Sequence, residues 1–239
     1  MTIRYIADMH FDHDSIIAYD NRPFDSVEEM NEKLIANWNR VVTASEDLTW
    51  ILGDFCFGSV ERWSELLSRL NGRKALILGN HDNPDVAGAE AIRSQLEDIA
   101  EYREILDRGR HVVLCHYPIL TFRDHYFGWY HLYGHVHSSY EWNVTENAKR
   151  LLQRLYVRDD VCRMYNAGAM IPAMAYTPRT LDEITGVSSG TASDCFARFP
   201  GISVIDRSAA LQATAGLTQV QKVPGDSIRS PGTGDSTSD

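Results

Sequence analysis

Five short blocks of this sequence carry side chains that can bind metal ions and activate water. They are Asp8-x-His10, Gly53-Asp54, Gly79-Asn80-His81-Asp82, His116 and Gly134-His135-x-His137. Asp8 and Asp54 are hard oxygen anions, and Asn80 offers a neutral amide oxygen. His10, His116, His135 and His137 offer imidazole nitrogens. This donor set is larger than one tetrahedral zinc takes. It suits two divalent ions a few ångström apart that share one carboxylate. Mixed nitrogen and oxygen ligation without thiolate points to manganese first, with iron, zinc, nickel or cobalt as alternatives, and away from a calcium cage. Two such ions outweigh two carboxylates and a hydroxide, so the site stays cationic and attracts phosphate. Singly, each block is also what a strand-end turn collects, because Gly, Asn and Asp suit turns for backbone reasons. Only their joint occurrence singles them out.

The elements that must position these blocks are legible in outline. Apolar runs predict strands over 3–7, 47–52 and 75–78, each stopping at a block. Between them lie two amphipathic helices. The first starts at the N-cap Ser26, with Glu29 completing a capping box, and buries Val27, Met30, Leu34, Trp38, Val41 and Val42. The second spans 60–70 and turns Trp63, Leu66, Leu67 and Leu70 inward. Pro84 opens a helix to about Leu96. Strands follow over 102–106 and 111–115, then an aromatic loop over 121–129, a strand over 130–133, and a helix or return loop over 147–156. A last strand over 164–167 and a short cap over 181–184 complete the pattern. Alternating strands and helices bring functional groups to the carboxyl ends of the strands, and each block would reach that edge.

Composition narrows the function classes. The 239 residues carry a formal net charge of −10, which gives no bulk attraction to nucleic acid or an anionic membrane. No apolar run has the length of a membrane span, and the N-terminus has no signal-peptide core. Cys56, Cys115, Cys162 and Cys195 are scattered and read as reduced thiols in a cytoplasmic protein. From residue 185 to 239 the chain turns rich in Ser, Thr, Gly and Ala and loses its periodicity. This predicts a core domain over 1–184 and a largely disordered extension over 185–239, in which 196–205 either packs weakly on the domain or is equally loose.

In order and spacing, the five blocks resemble the calcineurin-like metallophosphoesterases, and the resemblance spans residues 1–184. It implies an α/β (α+β) fold, a four-layer αββα sandwich of two mixed β-sheets with the site at one edge. It implies that Asp8, His10 and His137 bind one metal, that Asn80, His116 and His135 bind the other, and that Asp54 bridges them. His81 would face the substrate and protonate the leaving oxygen. The implied reaction is direct attack of a metal-bridging hydroxide on a phosphate mono- or diester, with no phosphoenzyme. Where the family's Ser/Thr protein phosphatases carry an acid and an arginine after Gly-Asp, this chain has Phe55-Cys56-Phe57, and Asp82 replaces their usual Glu. The chain therefore looks more like the small bacterial and phage members, with a nucleotide or other small phosphoester as substrate. The alternatives are a non-catalytic metal-binding scaffold and a nuclease, the latter disfavoured by the charge.

Several neighbouring residues have two readings. Arg22 either clamps a phosphate or pairs with an acid. Arg123 and His125 either reach over the site or stay in their loop. His13 either supports a ligand or lies on the surface. Asp82 either orients His81 or caps the turn before Pro84. Tyr117 either stacks on a substrate ring or packs in the core. Strand alternation turns Cys56 and Cys115 away from the site.

Overall fold

The computed structural model describes residues 1–186. Strands β1 (Ile3–Ile6), β2 (Leu48–Leu52), β3 (Arg73–Ile77) and β4 (Ile99–Ala100) form one sheet in that order, with every pair parallel. Parallel pairing needs long crossovers. These are α1 (Ser15–Tyr19) and α2 (Val27–Val41), then α3 (Val60–Arg69), then the short α4 (Pro84–Gly88) and α5 (Glu90–Arg93). The second sheet runs β5 (Tyr102–Asp107), β6 (Arg110–Cys115), β7 (Tyr130–Tyr133) and β8 (Arg163–Asn166). β5 pairs antiparallel with β6, and the other pairs are parallel. Helix α6 (Tyr140–Tyr156) connects β7 to β8, and α7 (Leu181–Thr185) ends the described chain.

The apolar pattern explains the layering. β6 alternates: Val112 and Leu114 join the main core with β1, β2 and β3, while Val113 belongs to a second cluster with Phe122, Tyr133, Val136, Cys162 and Met164. α6 rests on that second cluster through Trp142 and Leu152. On the other side, α2 and α3 bury Met30, Leu34, Trp38, Trp63, Leu66 and Leu67 in the main core. Two sheets flanked by helices are the expected sandwich. The segment after β8 joins the sheets at one edge, where Ala7 N–H donates to Ala167 O (2.8 Å) and Ala169 N–H to Ala7 O (2.8 Å).

Four expectations are corrected. The first sheet is purely parallel rather than mixed. The helix expected over 84–96 breaks at Ala89, whose extended backbone (ψ 141°) caps α5 instead of continuing α4. α6 begins at Tyr140, because the Ser139 side chain accepts from Glu141 N–H and starts the helix one block earlier. Ser26 caps α2 as expected, but Glu29 reaches back to Asp25 N–H (2.7 Å) rather than closing a box on Ser26. The expected extension lies almost wholly outside the described residues.

Candidate metal centre

The loops after β1, β2, β3, β6 and β7 meet at the joined edge of the sheets. Asp8, His10, Asp54, His135 and His137 all have left-handed backbones, with φ of 55°, 52°, 54°, 68° and 47°. L-residues adopt this conformation at a cost of about 1–3 kcal/mol each, which the surrounding structure must over-determine. Two glycines make the close approach feasible. A Cβ at Gly79 would overlap the Asp54 carboxylate, and one at Gly134 would lie 2.6 Å from Asp8 Oδ2.

Each buried carboxylate is held by one oxygen and offers the other. Asp54 Oδ1 accepts from His81 N–H (2.9 Å), while its Oδ2 lies 3.5 Å from both His10 Nε2 and His116 Nε2. Asp8 Oδ1 accepts from His135 N–H (2.9 Å), and its buried Oδ2 has no hydrogen-bond partner. An orphaned buried carboxylate oxygen is costly unless a cation meets it. His10 Nε2 and His137 Nε2 stand 3.2 Å apart beside these oxygens. Ligand atoms of Asp8, His10, Asp54 and His137 all lie within 4.8 Å of one another. On the far side of Asp54, Asn80 Oδ1 meets His116 Nε2 (3.0 Å) and His135 Nδ1 (2.8 Å). The donor set therefore fits divalent cations, with one group around Asp8 and another around Asn80.

Neighbours fix the rings. His116 Nδ1–H donates to Leu52 O (2.8 Å), and His137 Nδ1–H donates to Asp20 Oδ1 (2.7 Å), which turns each Nε2 toward the carboxylates. Electrostatics reflect two buried anions among four imidazoles. Burial pushes Asp8 up. It would raise Asp54 too, but the hydrogen bond and charge of His116 outweigh it and bring Asp54 down to about 2. Burial opposes charge on His116, yet Asp54 and Asp8 lift it to about 9. Burial lowers His10 to about 2, keeping it neutral and able to donate a lone pair. The site thus attracts positive charge, which a proton on His116 supplies in part and divalent ions would supply fully.

His81 is exposed at the rim, its ring centroid 5.5 Å from that of His10. It lines an open cavity of about 730 Å³, together with His13, Tyr19, Asn80, His135 and Glu141. His13 contacts His10: its Nδ1 is 3.2 Å from His10 Nδ1, and its ring stacks on Phe57 at 3.9 Å. Tyr117 is exposed beside His116 and His135 rather than packed in the core. Cys56 and Cys115 are buried thiols, as alternation implied.

Three candidate substrate contacts are corrected, because none lines the cavity. Arg22 is buried and donates to Asp8 O and Met9 O (2.9 Å each) and to Asp20, tying down the turn that presents Asp8 and His10. Arg123 pairs with Glu104 (2.7 Å) and lies over Trp129. His125 is buried with Nδ1 on Phe122 O (3.0 Å). Of its two readings, Asp82 follows the second: it closes the turn before Pro84, where its N–H donates to Gly79 O (3.3 Å). Its oxygens accept from Asp54 N–H, Phe55 N–H and Gly79 N–H (2.9, 2.8 and 2.8 Å), clamping two strand-end loops together.

Asp20 is the functional residue that sequence reasoning missed. Its carboxylate bridges His137 and Arg22, and no spacing relative to the five blocks marks it. Carboxylates that orient metal-binding imidazoles are typically worth 10–100-fold in affinity. Asp20→Asn is expected to weaken metal binding by about that factor. A competition titration against a fluorescent chelator would measure it, and an unchanged affinity would remove Asp20 from this role.

The family model for calcineurin-like phosphoesterases matches residues 1–166, and the chain belongs to that family. Its relatives include the uncharacterized protein MJ1445 of Methanocaldococcus jannaschii, 36% identical over 140 residues (58% of this chain, 70% of the relative). Another is the Gene 66 protein of Mycobacterium phage L5, 31% identical over 160 residues (56% of this chain, 76% of the relative). Among solved structures, protein AQ665 of Aquifex aeolicus, described as of unknown function, aligns with a TM-score of 0.56 and 25% identity. That alignment covers 77% of this chain and 98% of AQ665. No helix among the described residues is long and apolar enough to cross a membrane.

Proposed function

We propose that this chain is a dinuclear metal-dependent phosphoesterase that hydrolyses a small phosphate mono- or diester. The observation that carries the proposal is Asp54 Oδ2, equidistant at 3.5 Å from the Nε2 atoms of His10 and His116, one from each donor group. Asp8, His10 and His137 would hold one ion and Asn80, His116 and His135 the other, with Asp54 shared. Manganese is the first choice for a set of imidazoles, carboxylates and an amide without thiolate. Such ions supply Lewis acidity and a nucleophilic water at neutral pH.

The protein's own groups supply the rest. Asp20, Leu52 O and His13 hold three imidazoles in fixed orientation. Asp8 and Asp54 keep the site electrostatically ready for a phosphate-bound cation pair. The open cavity admits a nucleotide-sized molecule. His81, anchored by its own backbone N–H to Asp54, presents its imidazole to the cavity and would give a proton to the leaving oxygen. A cytoplasmic location belongs to the same proposal and is supported by the unpaired Cys56, Cys115 and Cys162.

His81→Ala is expected to leave metal binding intact and to slow hydrolysis by about 10²–10⁴-fold for a substrate with a poor leaving group. The loss should shrink for p-nitrophenyl esters, whose leaving group needs no proton. Turnover of both substrate types, with bound metal counted, tests this. Bound metal without metal-dependent turnover in the wild type would sink the enzyme reading.

A further inference from the structure

The helix α6 carries an outer face that nothing in the catalytic proposal uses. None of its residues is buried. Tyr140, Val144, Leu151 and Leu155 are 80%, 50%, 55% and 57% exposed and lie at helical spacing on one side. Such a stripe, on a helix whose opposite side already packs through Trp142 and Leu152, marks a contact surface. Past the end of the stripe, Tyr156, Val157, Tyr126 and Phe127 are exposed as well.

We infer that α6 pairs antiparallel with α6 of a second copy of this chain, making a two-fold dimer. The argument is symmetry in the residue order. About a point between Asn147 and Ala148, Tyr140 mirrors Leu155, Val144 mirrors Leu151, and Glu141 mirrors Arg154. An isologous contact requires that residue i face j while j faces i. Here apolar residues mirror apolar ones, and an acid mirrors a base, about the same centre. The small Ala148 and the polar Asn147 fall at the crossing, where helices approach closest. Charge follows the same rule along the helix. Its exposed side bears Glu141 in the N-terminal half and Arg150 and Arg154 in the C-terminal half, while Glu146 and Lys149 pair with each other (2.8 Å) on the side toward β8. Arg150 and Arg154 make no ion pair among the described residues, which leaves them available to a partner. A parallel pair would set like charges together. A membrane surface would prefer a uniformly basic polar face, which this helix lacks.

The pairing also has a place in the molecule. Ser139 and Glu141, at the start of α6, line the open cavity. The antiparallel register brings Leu155 of the partner subunit beside Tyr140, so each copy would wall the cavity mouth of the other.

Analytical ultracentrifugation of the full chain over a dilution series tests the inference. The wild type should sediment as a dimer. Leu151→Glu should weaken association by at least about tenfold, with an unchanged circular dichroism spectrum. Glu141→Arg should weaken it too, by setting like charges opposite Arg154. The double variant Glu141→Arg/Arg154→Glu should restore it, which a merely unfolded or aggregated variant would not do. A wild-type monomer overturns the inference, and so does a dimer indifferent to all three variants, since it must use another face.

Discussion

Asp54→Asn is expected to strip metal from both halves of the centre and to reduce phosphoester hydrolysis by more than about 10³-fold. The amide is nearly the same size as the carboxylate and can keep the bond from His81 N–H through its oxygen. Its nitrogen would then stand where Oδ2 stands, 3.5 Å from the ring nitrogens of His10 and His116. A donor replaces an acceptor at the one position both donor groups share. The substitution also removes the anion that holds His116 up at about 9, so the imidazole loses its proton more readily. Native mass spectrometry or inductively coupled plasma analysis would count the metal, alongside turnover with added Mn²⁺. Retention of two ions per chain would show that Asp54 is not the shared ligand.

Asp82→Ala should destabilise the fold by about 3–5 kcal/mol while leaving every candidate ligand side chain in place. The Asp82 carboxylate is buried and accepts three backbone N–H bonds, from Asp54, Phe55 and Gly79. Truncation leaves all three donors unsatisfied, at about 1–3 kcal/mol each before any water enters. Burial raises this carboxyl to about 6, against the pull of those same N–H groups, so it is ionised at neutral pH and accepts strongly. Asp82→Asn should cost less. Its single oxygen at the Oδ2 position would retain two of the bonds, while its amide nitrogen would face Phe55 N–H. Urea unfolding of the two variants gives the order directly. Equal stabilities of Ala and wild type would contradict the clamp.

The sequence showed the candidate donors more fully than it showed the contacts that hold them. Asp8, His10, Asp54, Asn80, His116, His135 and His137 were visible because each follows an apolar strand, and a strand end is easy to locate. Helices α2 and α3 were visible because their apolar faces repeat over several turns, and α2 also starts at the N-cap Ser26. Supporting contacts obey no such local rule. Asp20 meets His137 across 117 positions, and Arg22 reaches carbonyl oxygens that carry no sequence signal at all. The break at Ala89 was hidden because helix propensity favours alanine there. The early start of α6 was hidden for the opposite reason: Tyr140, Trp142, Val144 and Thr145 read locally as strand formers, and packing on the second apolar cluster overrides them. Arg123 and His125 were drawn toward the site only by proximity in sequence. Their loop instead turns back to Glu104 and Phe122.

The meeting of His10 with His137 has a consequence for how the chain is held together. These residues are 127 positions apart, as are Asp8 and His135. An ion gripped by both ends would close a ring that takes in β2 through β7, strands of both sheets, much as a disulfide would. In the chain-entropy model a permanent crosslink of that length is worth on the order of 4–5 kcal/mol. A reversible one stabilises in proportion to the logarithm of free metal over its dissociation constant. The start of the chain and the loop after its seventh strand would then be stapled by the same atoms proposed to perform the chemistry, and scarcity of metal would loosen the molecule as it silenced it.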